Sequence, residues 1–168
     1  MAQYDCRWIA VYSRARCERS LARYLQQRGL TSFVPLRRSL HRWSDRFKWV
    51  EEPLIPSYVF VFLSSFQHEH LFEAPGAVRI VSFRGRTAVV REEEIDFLRR
   101  AEGHPDTVAV GASQCCRGRT VKITRGLFEG YAGTVVYAGE RDYTVAVAID
   151  ELAYSVQVRV SRADAEVV

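Results

Sequence analysis

The chain has 168 residues, 48% apolar, 12% aromatic and 26% charged, which is the composition of a folded protein with room for one medium domain and one small module. That length excludes a large catalytic barrel of about 250 residues, and the apolar content excludes a disordered chain. The formal charge of +4 conceals a skew, because Lys48 and Lys122 are the only lysines and guanidinium groups carry nearly all of the positive field.

No stretch reaches the ~20 apolar residues that span a bilayer, and the opening run MAQYDCRWIAVYSRAR lacks the basic and apolar regions of a leader, so the expectation is a cytoplasmic protein without membrane contact. Residues 8–12 (WIAVY) read as a strand. Ser13 then offers an N-cap, and Cys17, Leu21, Tyr24 and Leu25 recur at helical spacing, predicting a helix over 14–28 that Gly29 ends. Arg16, Arg19 and Arg23 fall together on the opposite, solvated face.

Residues 31–34 predict a second strand stopped by Pro35. The following stretch, 37–48, interleaves Arg37, Arg38, Arg42, Arg46 and Lys48 with His41, Trp43, Phe47 and Trp49, and reads as a loop or irregular hairpin. Tyr58-Val59-Phe60-Val61-Phe62-Leu63 is a strand that wants cover on both faces. Core packing explains it; so does an apolar face left for a partner, and the sequence does not choose. A short helix over 67–72, strands over 78–83 and 87–90 paired around Arg84-Gly85, and a closing helix over 92–102 complete an α+β unit.

Residues 1–103 carry a net charge of +5, whereas 104–168 carry −1. The domain expectation is a first unit over 1–103, a linker over 104–116 rich in Pro, Gly and small residues, and a second unit over 117–168. In that second unit, strands over 120–123, 133–137, 143–149 and 154–160, punctuated by glycines, predict a small all-β barrel.

Enzymatic chemistry finds no foothold. The Gly126, Gly130 and Gly133 spacing lacks the Lys-Ser/Thr of a phosphate loop, no G-x-S-x-G occurs, and the carboxylate runs 51–52 and 92–94 sit at element starts. Cys6, Cys17, Cys115 and Cys116 form no C-x-x-C pair, and His68-Glu69-His70 reads as a polar surface loop, so neither a metal nor a cofactor is expected. From Arg7 to Lys48, eleven basic residues face two acidic ones, a cationic surface able to hold phosphates, with Trp43, Phe47 and Trp49 available to stack bases or anchor a loop.

Trp8-x-x-x-Tyr12 with its basic helix, Pro53-Leu54-Ile55-Pro56-Ser57-Tyr58-Val59-Phe60-Val61, and Ala74-Pro75-Gly76-Ala77-Val78 together resemble the N-terminal domain of NusG-type transcription elongation factors. The glycine-marked run from Gly118 through Gly126, Gly130 and Gly133 is similar to the KOW motif that opens an SH3-like barrel. Ser57, where housekeeping members usually have Gly, and Trp43-Ser44-Asp45-Arg46 resemble the UpxY-like, RfaH-related antiterminators of surface-polysaccharide operons.

That resemblance implies a non-enzymatic monomer that suppresses pausing or termination. It places Tyr12, Leu54, Ile55, Tyr58 and Phe60 on the clamp helices of the RNA polymerase largest subunit, and His68 and His70 toward the gate loop of the second-largest subunit. Arg14, Arg16, Arg19 and Arg23 are implied to meet upstream or non-template DNA, and Leu127, Phe128 and Tyr131 a small-subunit ribosomal protein or Rho. The β-branched runs of the second unit favour the barrel, and a helical alternative state is not expected. The competing reading, a KOW-type RNA-binding protein of the ribosome or translation, calls for a basic barrel, and the charge of −1 opposes it.

Overall fold

A computed structural model describes residues 5–104, 108–111 and 118–168; Cys115 and Cys116 lie outside them. In chain order the elements are β1 (Arg7–Ser13), α1 (Glu18–Gln27), β2 (Thr31–Phe33), β3 (Leu36–Arg42), β4 (Phe47–Pro53), β5 (Tyr58–Leu63), α2 (Glu69–Phe72), β6 (Ala77–Ile80), β7 (Ser82–Phe83), β8 (Arg86–Thr87), β9 (Val89–Val90) and α3 (Glu92–Ala101). There follow β10 (Val108–Gly111), β11 (Thr120–Ile123), β12 (Ala132–Ala138), β13 (Asp142–Ile149), β14 (Tyr154–Ser161) and β15 (Ala165–Val167). No helix among the described residues is long and apolar enough to cross a membrane.

The first sheet is antiparallel, in the order β2-β5-β1-β6, with β9 also on β1. Side chains alternate across its two faces. Ile9, Val11, Val59, Val61 and Leu63 point to one side, where Leu21 and Leu25 of α1 and Leu71 of α2 cover them. Trp8, Ala10 and Phe60 point to the other and pack with Ile95, Phe97 and Leu98 of α3. Each buried Val, Leu, Ile or Phe side chain among them stabilises the fold by about 1.5–3 kcal/mol relative to exposure. The uninterrupted apolar run of β5 is thus a strand with helices on both faces.

Helix α1 starts later than its apolar spacing predicts. Ser13 and Arg14 stay tied to the sheet, their N–H groups donating to Ser57 O and Gly76 O at 2.8 Å, and Arg16 adopts φ 65°, a left-handed conformation that interrupts a helix. Ser13 is therefore no cap. Its hydroxyl donates to Arg14 O, and Cys17 occupies the cap position without a side-chain bond.

Residues 37–48 also differ from expectation, forming most of a regular antiparallel hairpin, β3 with β4, from Leu36↔Pro53 to Arg42↔Phe47. Cross-strand ion pairing steadies it, with Arg37 2.6 Å from Glu52. The predicted pairing of 78–83 with 87–90 reduces to β7 and β8, because β6 and β9 both pair with β1.

The second sheet runs β10-β14-β13-β12-β11-β15, all antiparallel. Strand β10 falls within the stretch read as a linker and pairs with β14. Val121, Ile123, Val145, Val156, Val158 and Val160 form its interior. At Gly133 the backbone of β13 comes so close that a Cβ would stand 2.5 Å from Ala146 O. The register shift between Val135 and Tyr137 adds a bulge to the same strand, which sharpens its bend. The two sheets share one core: residues of β5 and α3 belong to the same buried cluster as the interior of the second sheet.

Candidate functional site

The face of the first sheet around Tyr58 holds the first group of expected site residues. The Tyr12 and Tyr58 rings meet edge to face at 5.5 Å, and Arg79 lies over the Tyr12 ring at 5.3 Å. Tyr58 in turn meets Tyr154 of β14 edge to face at 5.6 Å. Both tyrosines of the first sheet are half-buried. Leu54, Ile55 and Phe60 are at most 2% exposed and present no surface, Phe60 lying 6.3 Å from Phe33. Burial pushes the Tyr58 phenol above its ordinary range; neighbouring Tyr154 and Tyr12 add to the rise and Arg79 opposes it.

A seam joins α3 to the second sheet. Phe97 lies 5.5 Å from Phe128 and 5.1 Å from Tyr131, and His104 lies 5.6 Å from Phe128. The Tyr131 hydroxyl donates to Glu93 O at 3.2 Å, and Arg100 donates to Leu127 O at 3.2 Å. Buried Glu94 accepts from the backbone N–H groups of Arg91 and Asp150, while the Arg91 guanidinium reaches both Glu94 and Asp150. Phe128 and Tyr131, expected to meet an outside partner, here grip α3, and Phe128 is 4% exposed. Leu127 remains open.

The four arginines expected at nucleic acid are all exposed. Arg14 and Arg16 stand in the turn before α1, and Arg19 and Arg23 on the helix, so they come from two backbone environments rather than one helical stripe. Arg19 pairs with Glu51 of β4 at 2.9 Å. Between the start of α1 and the base of the β3–β4 hairpin lies an open cleft of about 620 Å³, lined by Arg16, Arg19, Arg37, Glu51, Glu52 and Ser57 among others.

Glu18 also borders that cleft, and sequence reasoning missed its role. It is 4% exposed, and its carboxylate accepts the Ser57 N–H at 2.7 Å, holding Ser57 at φ 66° beside Tyr58. A glutamate in a first helical turn carries no sequence signal of burial.

His68 is half-buried and His70 exposed on the short turn that ends in α2. Beside them Phe66 and Phe72 are 78% and 69% exposed, apolar surface that the histidine-centred reading passed over. Trp8, by contrast, is anchored inside: its indole N–H donates to Glu92 Oε2 at 2.7 Å, and Arg99 lies 5.5 Å over its ring.

A family model described as transcription termination factor nusG matches residues 6–99, more than half of the chain, and so spans the first sheet, α1, the hairpin and most of α3. The chain belongs to the NusG family. NusG-family proteins are non-enzymatic transcription factors of elongation, and membership implies interaction with RNA polymerase.

Among solved structures, one on domain interaction in Thermotoga maritima NusG is similar over 98% of both chains, with 21% identity and a TM-score of 0.61, a likeness of fold across both sheets. Two conformations of an MjSpt4:Spt5 complex align over 96% of this chain and 97% and 96% of theirs, at 15% and 16% identity, with TM-scores of 0.33 and 0.31. No curated protein matches the sequence.

Proposed function

We propose that this NusG-family chain is an antitermination factor that bridges the polymerase cleft and suppresses pausing, acting in the cytoplasm as a monomer on specialised operons of the UpxY or RfaH kind. The sheet face around Tyr12 and Tyr58 takes the clamp helices of the largest subunit, and the turn carrying His68 and His70 faces the gate loop of the second-largest. Arg14, Arg16, Arg19 and Arg23 take upstream or non-template DNA. The unit 117–168 is a KOW barrel joined to 1–103 through 104–116, and its Leu127, Phe128 and Tyr131 take a small-subunit ribosomal protein or Rho.

The observation that carries this reading is the aromatic contact of Tyr154 on Tyr58. Through Tyr154 the barrel touches the face that the polymerase would use, and its loop residues Phe128 and Tyr131 pack on α3. One undocking step therefore frees both surfaces at once. Polymerase binding then draws on the difference between docked and undocked states.

The test is single-round transcription through a pause and a terminator by a cognate polymerase. The wild-type chain should shorten pauses, and folded Tyr58→Ala should not. A wild-type chain with no effect on pausing or termination, with and without candidate recruitment sequences in the template, would refute the proposal.

A further inference from the structure

The β3–β4 hairpin forms a two-stranded sheet apart from the two larger ones. Its strand alternation separates two chemistries. On one face Arg37, Ser39 and His41 gather around Glu52, a satisfied polar cluster. On the other, Leu40 stands opposite Trp49 and Arg42 opposite Phe47, with Trp43 following in the turn. Leu40, Trp43, Phe47 and Trp49 are 51%, 56%, 65% and 56% exposed.

So much open aromatic surface on a two-stranded hairpin marks a contact surface rather than a core. Its charge says what kind. Arg42 and Arg46 form no ion pair among the described residues, Arg38 lies 5.9 Å over the Trp49 ring, and Glu51 is neutralised by Arg19. A protein partner would need a matching anionic and apolar surface. Single-stranded nucleic acid supplies phosphates for the cations and free base faces for the rings, which a duplex keeps stacked.

The face is also continuous with the arginine cleft. Glu51, which Arg19 touches, shares its face with Trp49 and Phe47, each successive side chain roughly 7 Å further toward the tip. We infer that the β3–β4 hairpin is a stacking platform for single-stranded DNA, taking bases on Trp49, Phe47 and Trp43 while Arg42 and Arg46 hold the phosphates. This rests on the reading of the α1 arginines as DNA contacts, and extends the strand's path about 20 Å along the hairpin.

The experiment measures anisotropy of a labelled oligothymidylate of about 16 nucleotides with the full chain, against a duplex and an oligouridylate of equal length. Trp49→Ala, Phe47→Ala and Arg16→Glu are compared with wild type after circular dichroism confirms their folding. Trp49→Ala and Phe47→Ala should each weaken single-strand binding by between about 5-fold and about 150-fold, with the salt dependence unchanged. The duplex should bind more weakly than the single strand, and the exposed tryptophans of the wild type should be quenched by the oligothymidylate.

Loss with Trp49→Ala but not with Arg16→Glu keeps the platform and removes the arginines from the DNA path. Loss with Arg16→Glu but not with Trp49→Ala or Phe47→Ala overturns the platform and leaves the arginines in place. Tighter binding of oligouridylate than of oligothymidylate, or equal binding of the duplex, also overturns it.

Discussion

Ser57 adopts φ 66°, a left-handed conformation that costs a residue with a Cβ about 1–2 kcal/mol, and it is held there by the Glu18 carboxylate and by its own carbonyl accepting from Ser13. Ser57→Gly should therefore raise stability by about 1 kcal/mol, read as a melting-temperature increase of about 2–4 °C; a decrease would show that the seryl side chain contributes more than the strain costs. Tyr58, next in the chain, carries a phenol whose ionisation burial opposes. A group whose folded pKa is raised contributes its stabilisation fully below the unfolded value of about 10 and loses it as pH rises through the raised one. In an ultraviolet titration, Tyr58→Phe should remove a late-titrating tyrosine; removal of an early one would contradict the packing described. At this scale the strand positions of Tyr12 and Tyr58 and the exposure of Arg14, Arg16, Arg19 and Arg23 were legible in the sequence. The strain at Arg16 and Ser57 was not, because neither residue is the glycine that advertises a left-handed backbone.

Among the elements, β1, β5, α3 and β11 were legible because their apolar periods are uninterrupted and their ends carry clear stops. The β3–β4 hairpin looked irregular because both strands are charged and its buried face is small, so the period of two is written in ion pairs rather than in apolar residues. Strands β10 and β15, of four and three residues, owe their existence to partners distant in sequence. Strand β12 depends on a missing side chain: Gly133→Ala would force a methyl against Ala146 O, and should destabilise the second sheet by roughly 1–3 kcal/mol. Chemical denaturation of the full chain monitored by circular dichroism checks this, and an unchanged midpoint would mean that the strands separate at no cost.

For the molecule as a whole, the seam buries Phe128 and sets Tyr154 against Tyr58. It could not be read from the sequence, because Tyr58 and Tyr154, or Phe97 and Phe128, are far apart in the chain and each is equally consistent with core, domain contact or external interface. On the proposed function, Tyr58 meets the polymerase with the same aromatic surface that Tyr154 of the barrel touches. On that proposal docking and polymerase binding compete for one face, so weakening the first should strengthen the second. Tyr154→Ala removes a barrel ring without altering the first sheet, so it separates these effects from the loss of the face itself.

The most direct test is the affinity of the full chain for elongation complexes of a cognate polymerase, measured for wild type, Tyr154→Ala and Tyr58→Ala, each shown to be folded. Competition for the Tyr58 face requires tighter binding by Tyr154→Ala than by wild type and loss of binding by Tyr58→Ala. Binding by Tyr58→Ala equal to wild type, or weaker binding by Tyr154→Ala, would contradict it.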